Sequence, residues 1–215
     1  LGIEEQFYLI FPIVIIAAWK FKFNVLSIIT IGFFSSFFLN IVNITDNPSA
    51  TFFLPQYRFW ELLSGSLLAY ISFNKERVDR ICNLSTSKAL MFSYENINKI
   101  KNSMSVIGLF ILAFSMLTIN KSDLFPGWLA LLPVSGTLLI IASGPYSFIN
   151  KYILSNRSMI FIGLISYPLY LWHWPILSFI KITQIGSPSR ETRLLAVLAS
   201  ILLAWLTYKF IEIPL

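Results

Sequence analysis

Three groups of residues in this chain could do chemistry. The first is Glu4-Glu5-Gln6, set directly before Phe7 and Tyr8 and a long apolar run. Carboxylates suit the first turn of a helix, where they meet the positive end of its dipole. That accounts for one glutamate more easily than for two and a glutamine. The second is Arg58 with Glu61, followed by Gly65. A spacing of three places both charges on one helix face, where an ion pair lowers the cost of burying either. Gly65 lies on the same side and is expected to let a neighbouring helix approach closely. The third is Ser166-Tyr167-Pro168-Leu169-Tyr170-Leu171-Trp172-His173-Trp174-Pro175, which contains the chain's single histidine. Tyr170, His173 and Trp174 share a helix face, with Ser166 and Tyr167 a turn or so deeper. An imidazole can act as acid, base or hydrogen-bond relay. It can also sit in an aromatic girdle at a membrane interface.

The elements that must carry these groups are apolar. The chain is 56% hydrophobic and 12% charged, with a mean hydropathy of +0.73. Soluble domains are about 25% charged, and a chain of 215 residues cannot hide this much apolar surface in one water-facing globule. The composition predicts an all-α, polytopic transmembrane helix bundle. Seven stretches read as spans: 7–19, 25–44, 58–73, 104–119, 128–143, 159–182 and 194–210. Between the third and fourth, 74–102 is a long polar connection, read as a loop or as a helix lying on the inner surface. The only cysteine, Cys82, precludes an internal disulfide and a cysteine-based metal site. No metal site is expected. The net charge of +6 is scattered along the sequence, which fits inward-facing loops and not nucleic-acid binding.

Charge also gives orientation. With the N-terminal end outside, eleven of the sixteen Lys and Arg residues fall on the inner side and five on the outer. The positive-inside rule favours that arrangement. His173 then lies fifteen residues from Ser158, about 22 Å along the helix, in the outer part of the membrane. Glu5, Arg58 and Glu61 fall at a similar level. Ionisable groups at membrane depth are costly, so three spans placing them at one level predict a shared polar cavity. Such a cavity suits acid–base chemistry or the passage of a polar solute.

These runs, in this order, resemble the acyltransferase type 3 family of bacterial integral-membrane O-acyltransferases. Leu1 to Tyr8 resembles that family's Trp-Ser-Leu-x-x-Glu-Glu-Gln-Phe-Tyr signature, and Arg58 to Gly65 its Arg-x-x-Glu-Leu-Leu-x-Gly run. Ser166 to Pro175 resembles Ser-Tyr-x-Leu-Tyr-Leu-Trp-His-Trp-Pro, and Tyr208 to Pro214 the closing Tyr-Arg-Phe-Ile-Glu-x-Pro. The resemblance implies a ten-helix domain with both ends in the cytoplasm, of which residues 1–215 would be the last seven helices. The chain begins at Leu1 without an initiator Met and reads as a piece of a longer polypeptide. An arginine and a histidine that the family keeps in its first helix have no match here.

The resemblance further implies transfer of an acyl group, commonly acetyl, from cytoplasmic acyl-CoA to a sugar hydroxyl outside. The acceptor would be lipopolysaccharide O-antigen, peptidoglycan or another exported glycan, and the enzyme would sit in the bacterial inner membrane among its lipids. No bound cofactor is implied. Some members use a further esterase-like domain, fused or separate. On this reading Glu5 and His173 are the catalytic candidates. Glu4, Gln6, Arg58, Glu61, Ser166, Tyr167 and Tyr170 would contact substrate. A multi-pass transporter or flippase for a polar glycan or lipid is the alternative that the same cavity would serve.

Overall fold

The computed structural model describes residues 2–82, 89–120, 123–183 and 189–214. Among them there is no strand. The helices are α1 (Gly2–Lys20), α2 (Val25–Asn43), α3 (Pro48–Phe53), α4 (Phe59–Cys82), α5 (Ala89–Thr118), α6 (Leu131–Ser143), α7 (Arg157–Thr183) and α8 (Arg190–Thr207). Short 3-10 turns precede α4 (Pro55–Tyr57) and α6 (Trp128–Ala130), and a π-helical turn, Tyr208–Glu212, continues α8.

Each expected span has its helix, but not all are equally suited to lipid. Five helical stretches are long and apolar enough to cross a membrane: Gly2–Lys20, Val25–Asn43, Ile97–Thr118, Arg157–Thr183 and Arg190–Glu212. Trp128–Ser143 is shorter. The α4 sequence carries Glu61 and then Lys75, Glu76 and Arg77, which break its apolar stretch. The polar connection 74–102 is largely helix and not loop. Its first part prolongs α4 to Cys82 and its last part belongs to α5, which starts at Ala89; 83–88 lie outside the described residues. Polar side chains do not stop a helix that leaves the apolar layer, because water can satisfy them while the main-chain bonds persist.

The chain divides into two units, Leu1–Asn150 and Lys151–Leu215. In the first, Phe7, Ile29 and Leu63 form a buried cluster joining α1, α2 and α4, with Phe11, Phe33 and Phe59 packed against it. Gly32 lets the Leu63 side chain come to 3.2 Å from where a Cβ would be. α5 and α6 are closer still. A Cβ on Gly108 would lie 2.7 Å from the Gly136 carbonyl oxygen, and one on Gly136 2.9 Å from Leu112. Lipid-facing helices gain little from mutual apolar burial, so backbones associate where small residues permit contact. Gly144, with φ of +79°, ends α6 in the conformation that glycine adopts without strain.

The second unit is the α7–α8 hairpin. Ser189 caps α8 by accepting from Thr192 N at 3.2 Å. Ala196, Ser200 and Ala204, one turn apart, are buried, as are Ile165 and Pro168 of α7. Trp172 Nε1 donates to Thr207 Oγ1 at 2.9 Å, tying the two helices. Elsewhere large apolar side chains face outward, Leu194, Leu195 and Ile182 among them. No more than 17% of any of the five candidate spans is buried within the protein, as expected where lipid is the solvent.

Candidate functional site

Arg58 and Glu61 form the chemically best-defined feature. Arg58 Nε donates to Glu61 Oε1 at 3.0 Å and Nη2 to Oε2 at 2.8 Å. This fork-to-fork geometry fixes the guanidinium plane and is among the stronger charge-assisted arrangements. Phe52 adds a ring face 5.3 Å from the guanidinium carbon. Two of the five guanidinium N–H groups are engaged by Glu61, which leaves three for another acceptor. The side chains remain 25% and 20% exposed. A charge pair that is partly accessible and already neutralised is suited to binding hydroxyl or carbonyl oxygens without a large desolvation cost.

The pair borders a cleft of about 390 Å³ between α4 and α6. Arg58, Glu61 and Gly65 lie on one wall and Pro133, Thr137 and Ile141 on the other. From Pro133 to Ile141 the wall runs about 12 Å. Thr137 donates its hydroxyl to Pro133 O at 2.8 Å, so the far wall is effectively apolar. Gly65 does not act as the expected close-packing surface: a Cβ there would meet nothing within 4 Å. Its small size widens the cleft instead. The cleft thus has a charged, hydrogen-bonding rim and an apolar interior.

Glu4, Glu5 and Gln6 occupy the first turn of α1 and are all exposed. One residue on, Phe7 is buried edge-on against Phe59, with ring centroids 5.4 Å apart. The acidic start of α1 and the Arg58–Glu61 start of α4 therefore stand at the same end of the first unit. Glu5 does not line the cleft, contrary to the expectation of a cavity shared by all the charged positions.

His173, Ser166, Tyr167 and Tyr170 lie on α7 in the second unit. His173 Nδ1 is 2.9 Å from the Leu169 carbonyl oxygen. A carbonyl only accepts, so Nδ1 carries the proton in this bond and Nε2 is the nitrogen left to meet a ligand. Among the described residues nothing hydrogen-bonds Nε2. The Tyr170 ring packs edge-on at 5.5 Å and holds the imidazole orientation. Ser166 Oγ donates to Gly163 O at 2.6 Å, while Tyr167 and Tyr170 are about half exposed.

The sequence reading missed three contributors. Phe52 lies outside every motif, in the short α3. Ser36 and Asn40 of α2 bond the main chain beside Arg58. Two polar residues four apart in an apolar run were the available signal for the latter pair.

No group of three or more His, Cys, Asp or Glu residues among those described is arranged to hold a metal ion.

Residues 1–209 match the family described as the acyltransferase domain, type 3. Relatives similar over the whole chain include two O-acetyltransferases. The peptidoglycan O-acetyltransferase OatA of Listeria monocytogenes is 30% identical over 223 residues, 100% of this chain and 34% of that protein. The O-acetyltransferase OatA of Staphylococcus aureus is 30% identical over 227 residues, 100% of this chain and 35% of that protein. The chain spans about a third of the length of these curated relatives. No solved structure matches it. The chain is multi-pass membrane protein by its helices and, by this match, belongs to the acyltransferase type 3 family.

Proposed function

We propose that this chain is the membrane portion of an O-acetyltransferase that esterifies sugar hydroxyls of a bacterial cell-surface glycan, peptidoglycan in the first instance. The observation that carries this reading is that both O-acetyltransferase relatives are similar over all of this chain. That includes the stretches bearing Arg58–Glu61 and His173. The donor is acyl-CoA from the cytoplasm, and the membrane is the bacterial cytoplasmic one. The basic bias supports this orientation, with the Arg58 end outward.

In the reaction a sugar hydroxyl oxygen bonds to the acetyl carbonyl carbon and the carbon–sulfur bond breaks. The hydroxyl proton leaves and the thiolate takes one up. Such a transfer needs donors for the oxygen that gains charge and a path for the proton. Arg58 supplies oriented N–H groups, held by Glu61. His173, held through Nδ1, binds the acceptor hydroxyl or relays its proton at Nε2. Glu4, Glu5 and Gln6 bind acceptor hydroxyls, and Ser166, Tyr167 and Tyr170 line the approach to His173. An esterase-like domain, fused or separate, is a proposed partner.

The test is mass spectrometry of muropeptides and other surface glycans from cells with and without the full-length gene. Base-labile acetyl on peptidoglycan sugars, present only with the gene, is expected. Acetyl confined to another glycan would overturn the choice of acceptor. An unchanged acetylation pattern on every surface glycan would overturn the enzyme reading.

A further inference from the structure

Arg58 does not begin a regular helix. Its backbone, at φ −121° and ψ −7°, lies between the 3-10 turn Pro55–Tyr57 and α4. An α-helix running through this point would bond Trp60 N to Gln56 O and Glu61 N to Tyr57 O. Neither bond is made. Glu61 N turns instead to Arg58 O at 3.1 Å, which frees the Tyr57 carbonyl. Two side chains of α2 take up the released groups. Ser36 Oγ sits between the first pair, accepting from Trp60 N at 3.0 Å and donating to Gln56 O at 2.7 Å. Asn40 Nδ2 donates to Tyr57 O at 2.9 Å.

We propose that Ser36 and Asn40 are positioning residues for the Arg58–Glu61 pair. They hold open the break before α4 and so set the direction from which the Arg58 guanidinium meets Glu61 and the cleft. Their placement is expensive unless it serves this. Both side chains are buried, Asn40 fully, in a helix suited to span a membrane. Asn40 Oδ1 has no hydrogen-bond partner among the described residues, a desolvation cost that a leucine would avoid. Packing alone already joins α2 to α4 here, since the fully buried Trp60 meets Phe33 and Phe37 edge-on at 6.1 and 4.9 Å. The polar pair therefore adds direction to a contact that apolar packing secures. The inference rests on the reading that Arg58 serves acetyl transfer.

The test uses the full-length protein in cells lacking the native gene. It measures glycan acetylation per amount of membrane-inserted protein, and melting in detergent. Asn40→Leu removes the unpartnered acceptor but also deprives Tyr57 O of its donor, two opposing effects on stability, so melting should change little while acetylation falls about tenfold. Ser36→Ala should lose a similar factor, and Ser36→Thr, which keeps the hydroxyl, should recover to within about twofold. In an Arg58→Lys background, Asn40→Leu should cost little more, because residues acting through one group are not additive. Wild-type acetylation by Asn40→Leu and Ser36→Ala, or losses that merely follow protein amount or melting, would overturn the positioning role while leaving Arg58's role intact. Full acetylation by Arg58→Lys would instead overturn the role of Arg58, and this inference with it.

Discussion

At the scale of single residues, the Arg58–Glu61 pair is defined by geometry that only an arginine supplies. Lysine carries the same charge but cannot form two parallel bonds to one carboxylate. Arg58→Lys is therefore expected to insert normally and lose at least about tenfold in acetylation per molecule; in-cell acetylation normalised to protein amount checks it. His173 is held by Nδ1 against Leu169 O, and among the described residues nothing bonds its Nε2. His173→Ala should abolish most acetylation with the protein still in the membrane fraction. Glu5→Gln keeps the size and loses the charge of an exposed first-turn residue, so a fall in activity at constant protein level would mark a direct part in transfer. Unchanged activity would mark Glu5 as a helix-start residue. The sequence alone gave Arg58 and Glu61 their pairing through the spacing of three. It did not give Ser36 or Asn40, because contacts between residues distant in the chain leave no spacing to read, nor Phe52, which meets Arg58 across the irregular turn between α3 and α4 where no helical spacing applies.

At the scale of elements, the glycines separate by environment and not by motif. Gly108 and Gly136 bring α5 and α6 into backbone contact, and a Cβ on Gly108 would press on a carbonyl oxygen at 2.7 Å. Gly163, inside α7, has nothing within 4 Å of that position. Gly108→Ala should destabilise the protein by about 1–3 kcal/mol as the helices are forced apart. Gly163→Ala should be neutral or stabilise by up to about 1 kcal/mol through helix propensity. Melting temperatures of the two variants in one detergent decide it, and equal effects would contradict the close α5–α6 contact. Gly65, which by sequence shares its setting with the Arg58 motif, instead keeps the cleft open. Enlarging it to leucine should impair activity by filling that space, with little effect on melting.

At the scale of the whole molecule, the outward-facing apolar side chains and the sparse burial of the candidate spans require a bilayer as solvent. The basic bias predicts which way the chain threads it. Cys82, at the end of α4, should react with a membrane-impermeant thiol reagent only after cells are permeabilised. Comparison with a Cys82→Ser variant of the full-length protein isolates that signal. Labelling in intact cells would reverse the orientation and place the Arg58 end inside.

Length and hydropathy by themselves determined that this chain is an all-α membrane protein with helices at seven places, because lipid leaves the main chain no alternative but internal hydrogen bonds. The order of four short motifs pointed to the family, which the match over residues 1–209 then showed. The helix ends were legible only in part. Around 74–102 the hydropathy falls while the helices continue, as main-chain bonding does not end where apolar burial does. The tertiary structure alone decided that the Arg58–Glu61 pair borders an apolar cleft, that Glu5 stays off that cleft, and that α2 reaches across to hold the backbone at Arg58. Those outcomes depend on which faces of separate helices meet, and a one-dimensional pattern sets the faces without setting the partners.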